Sequence, residues 1–180
     1  MSTMTTLTTL GLGGLTVLAL AAFTAEKRRA VAPAEASTYL AELHGDLHAS
    51  PRGKATFGTV EGDKGAPSVF TLSLGADGST GSVLFTRTNG GRLTPGTYAV
   101  TDRDDGSDEI RALVMTGTTT RPTGVFRARS GYLIVTSATD SVIKGRFQVE
   151  AMGFLAANPA DETRPMQATG MFTATREVVR

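Results

Sequence analysis

Two hydrophobic patterns divide the chain. Leu7 to Ala25 is an apolar run without a charged residue, whereas the chain beyond residue 43 alternates apolar and polar positions with period 2, broken by turn residues at near-regular intervals. That alternation is the signature of half-buried strands in a sandwich or barrel. It is clearest in Val142 to Gly153, where Ile143, Gly145, Phe147, Val149 and Ala151 share one face and Lys144, Arg146, Gln148 and Glu150 the other. Phe70, Leu72 and Leu74 alternate in the same way, as do Ala168, Gly170, Phe172 and Ala174.

The pattern predicts strands near Lys54 to Glu61, Ser68 to Gly75, Ser82 to Thr88, Gly96 to Thr101, Ile110 to Gly117, Gly124 to Ser130, Tyr132 to Ser137, Val142 to Gly153 and Gln167 to Arg176, with one more over Leu43 to Ala49. Turns fall at Asp77-Gly78, Asn89-Gly90-Gly91, Pro95-Gly96 and Asp105-Gly106, each offering a positive φ or a proline-fixed one. The expected fold class is therefore all-β, an antiparallel sandwich or barrel of about 9–10 strands preceded by one N-terminal transmembrane helix. The expected organisation is a membrane segment at 1–25, an Ala-rich linker with Pro33 at 26–38, and the β domain at 39–180. A short helix over Ala34 to Leu43 fits the local composition.

As a helix, Leu7 to Ala25 nearly matches a hydrocarbon core of about 30 Å at roughly 1.5 Å per residue. Leu7, Leu10, Gly13, Leu15, Leu18, Leu20 and Phe23 are its membrane-anchor residues, and Lys27, Arg28 and Arg29 form an interfacial stop. The alternative is a cleaved signal peptide, which calls for a basic start and small residues at the cleavage site. Met1 to Thr6 hold no Lys or Arg, and Phe23 would stand at −3 for cleavage after Ala25. Thr9 and Gly13, with Gly11 and Gly14 beside them, have the spacing of small residues that lets another helix approach.

Composition narrows the function classes. The 180 residues hold 18 Lys and Arg against 17 Asp and Glu, a net charge of +1 that gives no field to concentrate a polyanion. No nucleic-acid partner is expected. The absence of Cys rules out disulfides, thiolate metal sites and thiol nucleophiles. The 21 Gly and the absence of Trp suit a turn-rich, extended chain.

Several strings carry a resemblance: Gly53-Lys54-Ala55-Thr56-Phe57-Gly58, Phe70-Thr71-Leu72-Ser73-Leu74-Gly75, Leu93-Thr94-Pro95-Gly96-Thr97-Tyr98, Ser130-Gly131-Tyr132-Leu133-Ile134-Val135-Thr136-Ser137 and Lys144-Gly145-Arg146-Phe147-Gln148-Val149-Glu150-Ala151. Together, over residues 50 to 176, they resemble the small β-sandwich domains of unknown function found in exported or membrane-anchored bacterial proteins. The resemblance implies a fold and supplies no catalytic residue. Its members usually follow a secretion signal or a lipoprotein Cys, and this chain has no Cys to lipidate.

Candidate chemistry is sparse. His44, Asp46 and His48 would point to one side of a strand, a geometry open to a metal or to an ordinary polar face. Asp102, Asp104, Asp105, Asp108 and Glu109 form an acidic loop whose spacing departs from a calcium loop, because Gly106 comes one residue early. Ser141 and Lys144 spell the S-x-x-K string of serine acyl-enzymes, which needs a helix that this stretch does not predict. Arg121, Arg127 and Arg129 offer a basic stripe or a solvated face.

The expectation is thus a non-enzyme with no catalytic residue, cofactor or metal. It is an accessory subunit with one transmembrane helix in a bacterial inner membrane, its β domain docked on membrane protein subunits such as those of a respiratory or photosynthetic complex. The β domain is placed outside the cytoplasm, although Lys27, Arg28 and Arg29 argue for the cytoplasmic side. The alternative is a secreted binding module for a small apolar ligand or glycan.

Overall fold

The computed structural model describes residues 36–60, 68–76, 80–88, 91–103, 109–118 and 120–177. The apolar segment and its basic flank, Leu7 to Arg29, lie outside them. Among the described residues nine strands follow one another: β1 Thr38–Gly45, β2 Arg52–Val60, β3 Val69–Ala76, β4 Gly81–Thr88, β5 Gly96–Thr101, β6 Ile110–Thr118, β7 Arg121–Ala138, β8 Val142–Leu155 and β9 Arg164–Arg176. They close a barrel in the order β1-β2-β3-β4-β6-β5-β7-β8-β9. Closure pairs every strand on both sides and leaves no open sheet edge along that circuit.

All nine strands send side chains into one core. Phe57, Phe70, Phe85, Phe126, Leu133, Ile143, Phe147 and Phe172 are buried there, with Tyr39, Val100, Ile110 and Met166. Phe85 meets Phe147 edge to face at 5.3 Å, and Phe57 stacks near Phe70 at 6.3 Å. The alternations predicted for Phe70, Leu72 and Leu74, and for the β8 and β9 stretches, are the inward phases observed. Burial pushes the Tyr39 phenol above its usual range, and its hydroxyl donates to the Gly81 carbonyl at 3.2 Å.

Three expectations change. Thr38 to Leu43, expected as the end of a short helix, belongs to strand β1, which pairs residue for residue with β9 from Thr38↔Thr173 to Gly45↔Met166. That ladder buries Tyr39, Ala41 and Leu43 together, whereas on a helix Ala41 would point away from Tyr39 and Leu43. Of the strand expected over Leu43 to Ala49, only the end of β1 and the bridge Leu43↔Ala49 form. The two strands expected at Gly124 to Ser130 and Tyr132 to Ser137 are one, β7.

Strand β7 is long because it changes partners. Its first half pairs with β6 as far as Leu113↔Arg127, and its second half pairs with β5 from Thr101↔Ser130 onward, while β8 follows both halves. The register slips between Ala128 and Ser130, and Gly131 next to the slip takes φ 143°. A Cβ there would stand 2.3 Å from the Gln148 carbonyl oxygen, so the bend requires glycine. Among the described residues antiparallel pairing holds except for Val100↔Ile110 between β5 and β6 and a short contact of Thr56 and Phe57 with Thr175 and Arg176.

The Leu93-to-Tyr98 string has a structural role. The Tyr98 hydroxyl accepts from the Thr94 N–H at 2.9 Å and donates to the Thr94 carbonyl at 2.8 Å. This clamps the entry to β5 and holds Leu93 fully buried. The Arg87 guanidinium lies 5.6 Å from the centre of the Tyr98 ring.

Candidate functional site

The inside of the barrel is occupied by buried apolar side chains, Phe70, Phe85, Phe126 and Phe147 among them. The wall formed by β1, β9, β8 and β7 carries an unusual set of outward residues. Leu40, on the solvent phase of β1 between buried Tyr39 and Ala41, is 45% exposed, and its cross-strand neighbour Met171 on β9 is 63% exposed. Met171 pairs with Arg146 on β8, and one outward step along β8 Gln148 pairs with Tyr132 on β7. The Tyr132 hydroxyl donates to Gln148 Oε1 at 3.0 Å, which fixes the ring across the wall. Met152 is exposed farther along β8.

Three shallow troughs of about 410, 390 and 560 Å³ cross this same wall. The first two share Leu40, Arg146 and Met171, and the third passes between His44, Glu150 and Met152. Charge is sorted along the strands: Lys144 and Arg146 lie at one end of the outward row on β8, Glu150 at the other, and Glu42 of β1 is opposite Thr169. Arg146 has no ion-pair partner among the described residues, whereas Glu150 accepts a hydrogen bond from Ser130 at 3.2 Å.

The residues singled out in sequence distribute differently. His44 and His48 do come together, with ring centroids 5.6 Å apart, and Glu42 lies 3.5 Å from His44 Nε2. Asp46 does not join them, because Arg164 takes its carboxylate and also meets Asp161 at 3.0 Å. Among the described residues no group of three His, Cys, Asp or Glu converges on a metal position. Of the acidic loop, Asp104, Asp105 and Asp108 lie outside the described residues. Asp102 is bound by Arg129, whose hydrogen bond holds that carboxyl below its ordinary range.

Ser141 and Lys144 bracket the start of β8, with the Ser141 carbonyl accepting the Arg176 N–H at 3.0 Å, so the string leads into a strand and not a helix. Arg121, Arg127 and Arg129 are all exposed on β7, but Asp102 occupies Arg129 and Arg127 stands across from Met152. The anchor residues Leu7, Leu10, Gly13, Leu15, Leu18, Leu20 and Phe23, and the interfacial Lys27, Arg28 and Arg29, lie outside the described residues. No helix among the described residues is long and apolar enough to cross a membrane.

Sequence reading missed the outer wall. The signal was present in part: Leu40 and Met171 are large apolar residues on the wrong phase of otherwise regular alternations. Their adjacency was not legible, because residues 40 and 171 meet only when β9 closes the barrel onto β1. Comparison with known proteins returns no match to a family model, to a curated protein or to a solved structure.

Proposed function

We propose that this chain is a non-catalytic accessory subunit, held at a membrane by its apolar N-terminal segment and recognising protein through the outer wall of β1, β9, β8 and β7. The observation that carries this reading is the exposed group Leu40, Met171 and Tyr132 on that wall, beside polar and charged residues that frame it. Exposed apolar side chains grouped within a polar rim are the usual composition of a protein-recognition patch. The wall begins at Thr38, the first residue of β1. The paired ends Thr38 and Thr173 line the second trough.

A secreted module for a small apolar ligand or glycan is the competing reading. It would have to use these open troughs, since Phe70, Phe85, Phe126 and Phe147 occupy the barrel interior. Open, shallow troughs suit a protein surface better than a small ligand, which a concave pocket encloses.

The test is extraction of the full chain from its native membrane in mild detergent, followed by size exclusion and intact-mass measurement. The expected result is an unprocessed N-terminus and elution with other polypeptide chains. A chain trimmed before Pro33 and eluting alone would overturn the proposal.

A further inference from the structure

The arrangement of charge on the wall points to a particular occupant. Leu40, Met171, Gln148 and Tyr132 form a line that crosses β1, β9, β8 and β7 obliquely, because Leu40 pairs with Met171, Gln148 lies one outward step from Met171's partner Arg146, and Tyr132 pairs with Gln148. Lys144 and Arg146 lie on one side of that line. Glu42 and Glu150 lie on the other, Glu42 in the row of Thr169 and Glu150 in the row of Gln167, together with His44 and with Arg129, whose charge is met by Asp102.

We propose that the occupant is the same wall of a second copy, packed face to face about a two-fold axis that follows the Leu40-to-Tyr132 line. This rests on the protein-recognition reading above and names its partner. A half-turn about such an axis brings the apolar line of one copy onto that of the other. It also exchanges the two sides, so that Lys144 and Arg146 of each copy face the acidic side of its partner. An axis running along β8 would instead set Arg146 against Arg146, a repulsive register. Isologous pairing requires a surface complementary to itself, and opposite charges placed on either side of an apolar line meet that requirement.

The size of the wall sets the expected strength. Four strands about 4.8 Å apart, with outward rows about 6.8 Å apart, give a footprint on the order of 500 Å² in projection, suited to a reversible dimer more than an obligate one. The exposed Arg146 guanidinium, without an ion-pair partner among the described residues, gains one in the dimer.

The chain contains no Cys, so a single introduced thiol reports position cleanly. Full-length Met171→Cys, purified in detergent and treated with a short bis-maleimide, should give a covalent dimer. Val60→Cys, equally exposed at 62% but on β2, should not. In the Met171→Cys background, Arg146→Glu or Glu150→Arg alone should weaken the dimer about tenfold or more, and the two together should restore it. Circular dichroism of each variant checks that the barrel is intact.

Cross-linking indifferent to both charge reversals, or a double reversal that fails to rescue, would overturn the dimer. If purified Met171→Cys stays monomeric but cross-links in cells to a different polypeptide, the second copy is refuted and the protein-recognition reading stands. If it cross-links to no polypeptide in either setting, both fall.

Discussion

The ring of Phe147 lies against Gly170, its cross-strand partner in the β8–β9 ladder: a Cβ on residue 170 would stand 2.8 Å from two carbons of the ring and 2.6 Å from the Leu40 carbonyl oxygen. Gly145 and Phe172 repeat the relationship one pair along, with the ring carbons of Phe172 at 2.9 and 3.1 Å from the Cβ position of residue 145. Each aromatic ring thus covers the glycine opposite it, filling space that the missing side chain leaves. Gly170→Ala is expected to cost about 1–3 kcal/mol by overpacking. Phe147→Ala should cost about 3–5 kcal/mol through the cavity it leaves. Urea denaturation measures both, and because the two residues touch, their effects in a double variant should not add.

Gly131 marks where β7 leaves β6 for β5. Its positive φ and the nearness of the Gln148 carbonyl make any side chain strained. Gly131→Ala should destabilise the barrel by at least about 1–3 kcal/mol. Hydrogen exchange should also show faster amides in the β5–β7 ladder than in β8–β9, since only the former depends on the bend.

Tyr39 makes stability fall at alkaline pH. Its phenol is pushed above the usual value by burial, so the folded state keeps its proton where the unfolded chain releases it. The contribution is whole below the ordinary tyrosine pKa of about 10 and is lost as pH rises above it. Urea midpoints measured from neutral pH to pH 11 should decline at the upper end. Tyr39→Phe should flatten that decline, at a cost near neutrality of about 1 kcal/mol for the lost hydrogen bond to Gly81.

Asp102 and Asp161 should titrate below ordinary aspartates. The first is held down chiefly by its hydrogen bond from Arg129, the second chiefly by the one from the Thr163 hydroxyl at 2.7 Å. Both carboxyls have folded pKa values depressed from the unfolded one, so what they add is present above that value and is lost as pH falls through the folded pKa. Carboxyl carbon shifts followed by NMR check this. Arg129→Ala should return Asp102 toward the ordinary range and leave Asp161 unmoved.

Leu40→Ser and Met171→Ser should leave the barrel's stability within about 0.5 kcal/mol, as expected for exposed positions. Light scattering of the same variants should show weaker self-association. Stability loss comparable to that of a core substitution would mean that these side chains serve the barrel itself.

Strand β8 was legible from its own residues, because inward Ile143, Phe147 and Val149 alternate with outward Lys144, Arg146 and Glu150 and no other structure buries the first set so simply. The boundaries of β5, Gly96–Thr101, were equally clear from the Pro95-Gly96 turn. Strand β1 was not, since Ala34, Glu35, Ala36 and the residues after them have helical composition, and only the ladder with β9 decides otherwise. The His44 and His48 pair was foreseeable from spacing, while the loss of Asp46 to Arg164 was not, because those residues lie far apart in the chain.

What the sequence by itself determined is therefore the class of fold and, along β3, β8 and β9, which side chains point inward, since strand period and turn chemistry act between near neighbours. It also carried the apolar N-terminal segment as a pattern. Which strands adjoin was decided by tertiary structure alone: the closure of β9 on β1, the crossing of β5 to the far side of β6, and the change of partners in β7. Those choices depend on burying one shared core from nine distant segments, and they bring Leu40, Met171, Gln148 and Tyr132 into a single line. The candidate surface is a product of that closure, which no local pattern contains.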